Sequence, residues 1–92
     1  MKGRGGKASE TSGAQTLLRG LWLLERVADG VHDLPGLAQA LGLSRSTAHR
    51  ILSALVREGY LRHEPRKGYF LGPKLIRLGF KAYGSLHLPS LA

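Results

Sequence analysis

Apolar side chains begin to recur at helical spacing at Ala14. One stripe of them predicts a first helix that ends at Asp29-Gly30, and its members are Leu17, Leu21, Leu24 and Ala28. Residues 1–13 are mostly Gly, Ser, Lys and Thr, with almost no apolar side chains. Because such a segment buries too little surface to offset its ordering entropy, we predict a disordered basic tail there. Its cations, which would solvate the chain or touch phosphates, are Lys2, Arg4 and Lys7.

Two shorter helices follow, separated by a glycine. Pro35 suits the first turn of the second helix, because its missing N–H would have no helical partner there. Gly42 interrupts the pattern, and Ser44 is positioned to cap a third helix that runs to about Glu58. The apolar positions that predict packing between these helices are Leu34, Leu37, Ala38, Leu41, Leu43, Ala48, Ile51, Leu52 and Leu55. Two helices joined by a tight turn are typical of a helix-turn-helix, here over about residues 34–53.

Beyond Gly59 the apolar alternation changes to that of β-strands. Two short runs over residues 60–63 and 69–71 flank a turn that contains Pro, Arg, Lys and Gly. We therefore predict a two-stranded hairpin, called the wing below, over residues 60–71. Its tip is basic.

A fourth helix opens at Gly72-Pro73 and is predicted to reach Gly84. Its apolar surface exceeds what one small core needs, and that surface consists of Leu75, Ile76, Leu78, Phe80, Ala82 and Tyr83. The predicted fold is mainly α with a small β-hairpin, a winged helix-turn-helix with a three-helix core and a two-stranded wing. This domain is expected over residues 14–72, followed over residues 73–92 by a linker or dimerisation helix.

Composition narrows the class of partner. A chain of 92 residues fits one small domain, which buries only part of its apolar surface, so association is expected. A formal net charge of +8 favours an anionic partner such as nucleic acid. The absence of cysteine excludes disulfides and cysteine-ligated zinc. No apolar run is long enough to cross a bilayer or to serve as a secretory signal, so we expect a cytoplasmic protein without a membrane partner.

The third helix is predicted to carry a basic, polar face opposite its apolar one. Such a face suits the DNA major groove, because Arg can hold guanine through two hydrogen bonds while hydroxyl and backbone N–H groups hold phosphates. A merely solvated face normally mixes acids with bases, whereas Glu58 is the only acid in this helix. The predicted DNA-contacting residues are Ser44, Arg45, Ser46, Thr47, His49, Arg50 and Ser53.

The wing is predicted to place cations beside the DNA backbone or the minor groove. We interpret the tip of the wing as free of acidic residues. The candidate DNA-contacting residues of the wing are Arg62, Arg66, Lys67 and Gly68. Arg19, near the start of the first helix, is a further candidate for a phosphate contact. An idle, exposed arginine is an equally good interpretation of that residue.

No metal, cofactor or catalytic site is predicted. The histidines are widely spaced and lack neighbouring carboxylate ligands, and they are His32, His49, His63 and His87. A pairing of Ser44 or Ser46 with His49 as nucleophile and base would lack an acid to orient the imidazole. We therefore expect a binding protein and not an enzyme.

Several segments together carry a resemblance to a known family. These segments are residues 18–21, Gly42-Leu43-Ser44-Arg45-Ser46-Thr47-Ala48-His49-Arg50, residues 58–61, residues 69–75 and Gly79. From about Gln15 to Ala92 the chain resembles the N-terminal domain of the IclR family of bacterial transcription regulators. The resemblance implies a winged helix-turn-helix that dimerises partly through its first and last helices and binds a palindromic operator. It also implies that residues 44–53 form the recognition helix.

Family members usually carry a larger C-terminal domain that binds a small metabolite. We therefore expect this chain to be a fragment that stops near the linker to an absent effector-binding domain. A small-molecule effector is expected only if the native protein has that domain.

The predicted function is sequence-specific binding of double-stranded DNA by a homodimer, or by a dimer of dimers on the operator. A dimer built through the fourth helix would hold two recognition helices ~34 Å apart and would require an inverted repeat. The alternative is a winged helix that serves as a protein–protein interaction or subunit-assembly module. In that case the apolar fourth helix matters and the basic face is incidental.

Overall fold

The computed structural model describes the backbone of residues 3–86 and the side chains of residues 13–86. The described residues form four helices and a two-stranded antiparallel hairpin, in the order α1 Gly3–Ala28, α2 Leu34–Leu41, α3 Arg45–Arg57, β1 Leu61–Glu64, β2 Gly68–Leu71 and α4 Pro73–Leu86. The predicted fold class, mainly α with a small β-hairpin, is confirmed.

Helix α1 starts earlier than the apolar pattern predicts, at Gly3 instead of Ala14. Once a helix has formed, each added residue gains one backbone hydrogen bond, so the helix can continue through residues of low helix propensity. The side chains of residues 1–12, and all of residues 87–92, lie outside the described part of the chain. The predicted disorder of residues 1–13 and the predicted domain boundaries therefore stay predictions.

The core is shared by the first three helices and the wing, and its buried side chains are Leu23, Val27, Leu37, Ala38, Ala48, Leu52, Leu61 and Tyr69. The predicted apolar stripe of α1 packs on the core only at Leu24 and was wrong at its other positions. Leu17 and Leu21 are 63% and 44% exposed, whereas Leu23 and Val27 are buried. Helix α1 carries apolar residues on more than one face, so helical spacing alone does not identify the buried face.

Local hydrogen bonds define the helix-turn-helix as predicted. The Asp33 carboxylate caps α2 by accepting from the Gly36 N–H at 3.0 Å. Helix α2 ends at Leu41 and is capped by Gly42, which has the left-handed φ of +66° that favours glycine. The Leu43 N–H then donates to the Ala38 carbonyl at 2.8 Å, which closes the turn. These contacts fix the position of α2 relative to the start of α3.

The wing turns tightly at its tip. In the strand register Glu64 lies opposite Gly68, and the Lys67 N–H donates to the Glu64 carbonyl at 3.0 Å. Pro65 occupies the second position of this turn, and Arg66, in the third, has a φ of +66°. This combination is typical of a type II turn. It leaves the side chains of Arg66 and Lys67 exposed at the tip.

Helix α4 is attached to the domain mainly at its base. The Gly72 N–H donates to the Tyr60 carbonyl at 2.8 Å, and the Lys74 N–H donates to the Gly59 carbonyl at 3.1 Å. Beyond this anchor, α4 contributes no buried residue to the core. The rest of the helix therefore presents its side chains outward.

Candidate nucleic-acid interface

Helix α3 divides cleanly into a buried and an exposed side. Ala48 and Leu52 are fully buried against α1 and α2. The predicted contact residues on the opposite side are exposed at Arg45, Ser46, His49 and Arg50 and half-buried at Thr47 and Ser53. The geometry therefore presents Arg45, Ser46, His49 and Arg50 to solvent, with Thr47 and Ser53 at the border of this face.

The first turn of α3 is held by Ser44. Its hydroxyl oxygen accepts from the Thr47 N–H at 3.1 Å and donates to the Thr47 hydroxyl at 3.0 Å. The Ser46 hydroxyl lies 3.4 Å from the same oxygen. The helix dipole and the remaining first-turn N–H groups make this end of α3 electrostatically favourable for an anion. Ser44 itself serves mainly as the cap.

The wing and α3 form a common groove. Its lining includes His49 and Ser53 from the helix, and His63, Arg66 and Lys67 from the wing. The fold thus brings together predicted residues that are far apart in sequence. Within the groove, His49 Nε2 lies 3.5 Å from the Ser53 hydroxyl.

Arg62 differs from the other wing cations. Its guanidinium forms an ion pair with Glu64 and lies 5.2 Å from the centre of the Phe70 ring. Sequence reasoning took the wing tip as free of acids and overlooked Glu64. Arg62 therefore has partners within the wing, whereas Arg66 and Lys67 project from its tip.

Gly68 has a structural role in the wing. It is half-buried with a φ of +106°, and a Cβ atom there would lie 2.3 Å from the His32 carbonyl oxygen. Only glycine fits this position without strain. Gly68 thus permits the wing to approach the loop between α1 and α2.

Arg19 lies beside the recognition face. It lines a second groove, between α1 and α3, together with Thr47 and Arg50. Helices α1 and α3 pack together here, where Gly20 is buried and a Cβ atom built on it would make an ordinary contact with Ile51 Cγ2 at 3.6 Å. The structure therefore brings Arg19 to the edge of the predicted contact surface.

Sequence reasoning missed His32, which contacts the wing from the α1–α2 loop. Its ring stacks on Phe70 with centres 4.3 Å apart, and it forms two hydrogen bonds with the backbone of Tyr69. The Tyr69 side chain is buried in the core, and this burial raises the pKa of its phenol. A single loop residue leaves no periodic signal, so the pattern could not identify His32.

A second surface is apolar. Large exposed side chains occur on α1 and α4, and they are Leu17, Leu18, Leu21, Trp22, Ile76, Leu78, Phe80, Tyr83 and Leu86. The sequence predicts more apolar surface on α4 than one small core needs. In the structure much of that apolar surface is exposed to solvent. Apolar patches of this kind mark interaction sites on small domains.

Within residues 13–86, no three His, Asp or Glu side chains come together as metal ligands. No helix in the described part of the chain has the length and apolar character required to cross a membrane.

Comparison with known proteins gives a consistent family match. Residues 16–65 match the profile of the IclR helix-turn-helix domain. The chain is 38% identical over 84 residues to the DNA-binding transcriptional repressor YiaJ of Escherichia coli, covering 88% of this chain and 30% of the repressor. It is 40% identical over 76 residues to the glycerol operon regulatory protein of Streptomyces griseus, covering 79% of this chain and 30% of that protein.

Solved structures agree in fold. The chain is similar to Pseudomonas aeruginosa HmgR with a TM-score of 0.72 and 27% identity, covering 85% of this chain and 35% of HmgR. It is similar to an IclR transcriptional regulator from Alicyclobacillus acidocaldarius with a TM-score of 0.69 and 29% identity, covering 74% and 29% of the two chains. The chain thus spans about three tenths of the length of the curated relatives it matches.

Proposed function

The chain belongs to the IclR family of transcription regulators, and on this premise we propose that it binds double-stranded DNA sequence-specifically as a homodimer. In this proposal α3 enters the major groove of a palindromic operator. Because relatives such as YiaJ are named repressors, we propose repression as the outcome and the cytoplasm as the site of action.

The observation that carries the proposal is the two-sided character of α3. Its apolar side is fixed in the core at Ala48 and Leu52, which orients Arg45, His49 and Arg50 outward. An Arg on such a face can contact guanine through two hydrogen bonds, and neighbouring hydroxyls can contact phosphates. The core therefore supports the recognition face without taking part in contacts.

The wing and α1 supply the proposed backbone contacts. Arg66 and Lys67 at the tip, and Arg19 at the α1 edge, flank α3 on two sides. Phosphate contacts of this kind set register and orientation, and they make affinity fall steeply as salt rises.

The proposed dimer uses the apolar side chains of α1 and α4. Phe80 is 74% exposed and Ile76 is 64% exposed, although both are large and apolar. A second copy of the chain on this surface would remove them from water and would position two α3 helices on successive turns of the operator. This arrangement requires an inverted repeat in the DNA.

The test compares two double variants that remove the same charge. Arg45→Ala/Arg50→Ala removes the proposed base contacts, whereas Arg57→Ala/Arg77→Ala removes two exposed arginines elsewhere. Arg57 lies twelve residues along α3 from Arg45, a distance of roughly 18 Å. Affinity is measured by fluorescence anisotropy on a duplex that the wild-type chain retains from a randomised library.

The first variant is expected to lose ~1–3 kcal/mol per base contact, and the control much less. Equal losses in both variants would show that net charge alone drives binding. If the wild-type chain retains no duplex, the protein–protein or subunit-assembly function takes its place.

A further inference from the structure

His32 lies outside every regular element, directly before the residue that caps α2. Its carbonyl oxygen accepts from the Tyr69 N–H at 2.9 Å, and its Nδ1 lies 2.8 Å from the Tyr69 carbonyl oxygen. Because a carbonyl oxygen only accepts, Nδ1 carries the proton and donates it. One residue thus satisfies both backbone groups of Tyr69 on the outer edge of β2.

The imidazole ring adds a second contact to the wing. It stacks on Phe70, with ring centres 4.3 Å apart and planes 26° from parallel. The same Phe70 ring lies near the guanidinium of Arg62, which pairs with Glu64. His32 is therefore linked to the outer face of the wing as well as to its edge.

The position of His32 connects the two halves of the proposed DNA surface. The next residue, Asp33, caps α2, and α2 packs against α3. In the wing, Tyr69 lies two residues after Lys67, which is exposed at the tip, and one residue after Gly68. The His32 contacts therefore connect the wing to the loop that leads into α2.

We propose that His32 is a positioning residue, which holds the wing at a fixed angle to α3 so that Arg66 and Lys67 reach the DNA backbone. The inference rests on the proposed function and adds a determinant of affinity that does not touch DNA. The Nδ1 donor is the decisive group, because a free Tyr69 carbonyl would otherwise turn to water and loosen the edge.

A purely structural His32 would behave differently. The wing strands also pair with each other, and Leu61 and Tyr69 lie in the core. Loss of the His32 contacts should therefore leave a folded domain whose wing is less well oriented. The free energy of unfolding alone does not distinguish a structural role of His32 from a role in positioning the wing. The number of phosphate contacts made with DNA does distinguish them.

The experiment measures the slope of log binding constant against log salt concentration, which counts phosphate contacts. The DNA is a duplex that the wild-type chain retains from a randomised library. Arg66→Ala/Lys67→Ala provides the reference for a wing without cations, and it should reduce the slope by about two. Val31→Ala provides a matched control, since Val31 is a half-buried neighbour that packs on the core.

We expect His32→Ala to reduce the slope as the reference does, while Val31→Ala keeps the wild-type value. His32→Asn retains a donor near the Nδ1 position and should keep the slope, whereas His32→Phe retains only a ring and should reduce it. Should His32→Ala fail to fold, the Asn and Phe variants decide the question.

A wild-type slope in both His32→Ala and His32→Phe would overturn the positioning role, even when the reference variant shows that the wing contacts DNA. An unchanged slope in the reference variant would overturn it as well, because there would be no wing contact to direct. Failure of the wild-type chain to retain any duplex is a distinct outcome, which would overturn the proposed function itself.

Discussion

Gly68 lies directly against the carbonyl oxygen of His32, where a Cβ atom would approach to 2.3 Å. The φ of +106° at Gly68 is also unfavourable for residues with a side chain. Gly68→Ala should therefore lower the free energy of unfolding by roughly 1–3 kcal/mol, as measured by chemical denaturation. The wing would have to move away from the α1–α2 loop to relieve the contact.

Gly13→Ala is the matched control. Gly13 is exposed in helix α1, and no atom lies within 4 Å of a Cβ atom built there. The same substitution should increase stability by ~0.5–1 kcal/mol, because Ala has the higher helix propensity. A Gly68→Ala variant as stable as the wild type would contradict the proposed packing of the wing.

Ser44 and Ser46 should differ in their effect on folding. Ser44→Ala removes the hydroxyl that accepts from the Thr47 N–H and should destabilise the domain by about 1 kcal/mol. Ser46→Ala changes an exposed residue that does not cap α3, and its effect should stay within about 0.5 kcal/mol. Thermal unfolding followed by circular dichroism measures both. Equal losses would argue against Ser44 as the cap.

The apolar surface of α4 should control the oligomeric state. Phe80→Glu places a charge in the proposed interface and should weaken dimerisation at least tenfold, or about 1.4 kcal/mol. Helical content should be unchanged, since Phe80 is 74% exposed and packs on no core residue. Analytical ultracentrifugation of Phe80→Glu and of its neighbour Lys81→Glu gives the comparison. Equal dissociation constants in the two variants would exclude Phe80 from the interface.

Burial of Tyr69 predicts a loss of stability at alkaline pH. The pKa of its phenol is raised above the ordinary value of 10.0 by burial. The unfolded chain therefore ionises Tyr69 first, so the stabilising difference is complete below pH 10 and is lost as pH rises through the folded-state pKa. Tyr69→Phe should lack this part of the pH dependence in urea unfolding. Parallel curves for the two proteins above pH 10 would contradict it.

The parts of the fold that sequence predicted are those with strong local signals. Pro35 and Gly42 bound α2, and Ser44 caps α3, because each residue type has a backbone preference that acts without tertiary contacts. The recognition face followed from the same helix, since only one side of α3 is apolar. Arg45 and Arg50 lie on the exposed side as expected.

The parts that sequence did not predict depend on long-range contacts. In α1, leucines occur on both faces, and the choice of Leu23 over Leu21 as a core residue depends on which face the other elements cover. The contact between His32 and Tyr69 joins residues far apart in the chain, and no local pattern relates the two positions. Likewise, the sequence did not predict that Arg62 pairs with Glu64 within the wing, and its predicted contact with DNA stays a prediction.

Selection of duplexes from a randomised library at near-physiological salt, followed by sequencing of what the purified chain retains, tests the central claim most directly. We predict enrichment of an inverted repeat whose half-sites are centred about one helical turn apart, ~34 Å. Such a result would support both sequence readout by α3 and a symmetric dimer. Uniform retention of all sequences would contradict sequence-specific recognition by these residues, and enrichment of a single unpaired half-site would contradict the dimer.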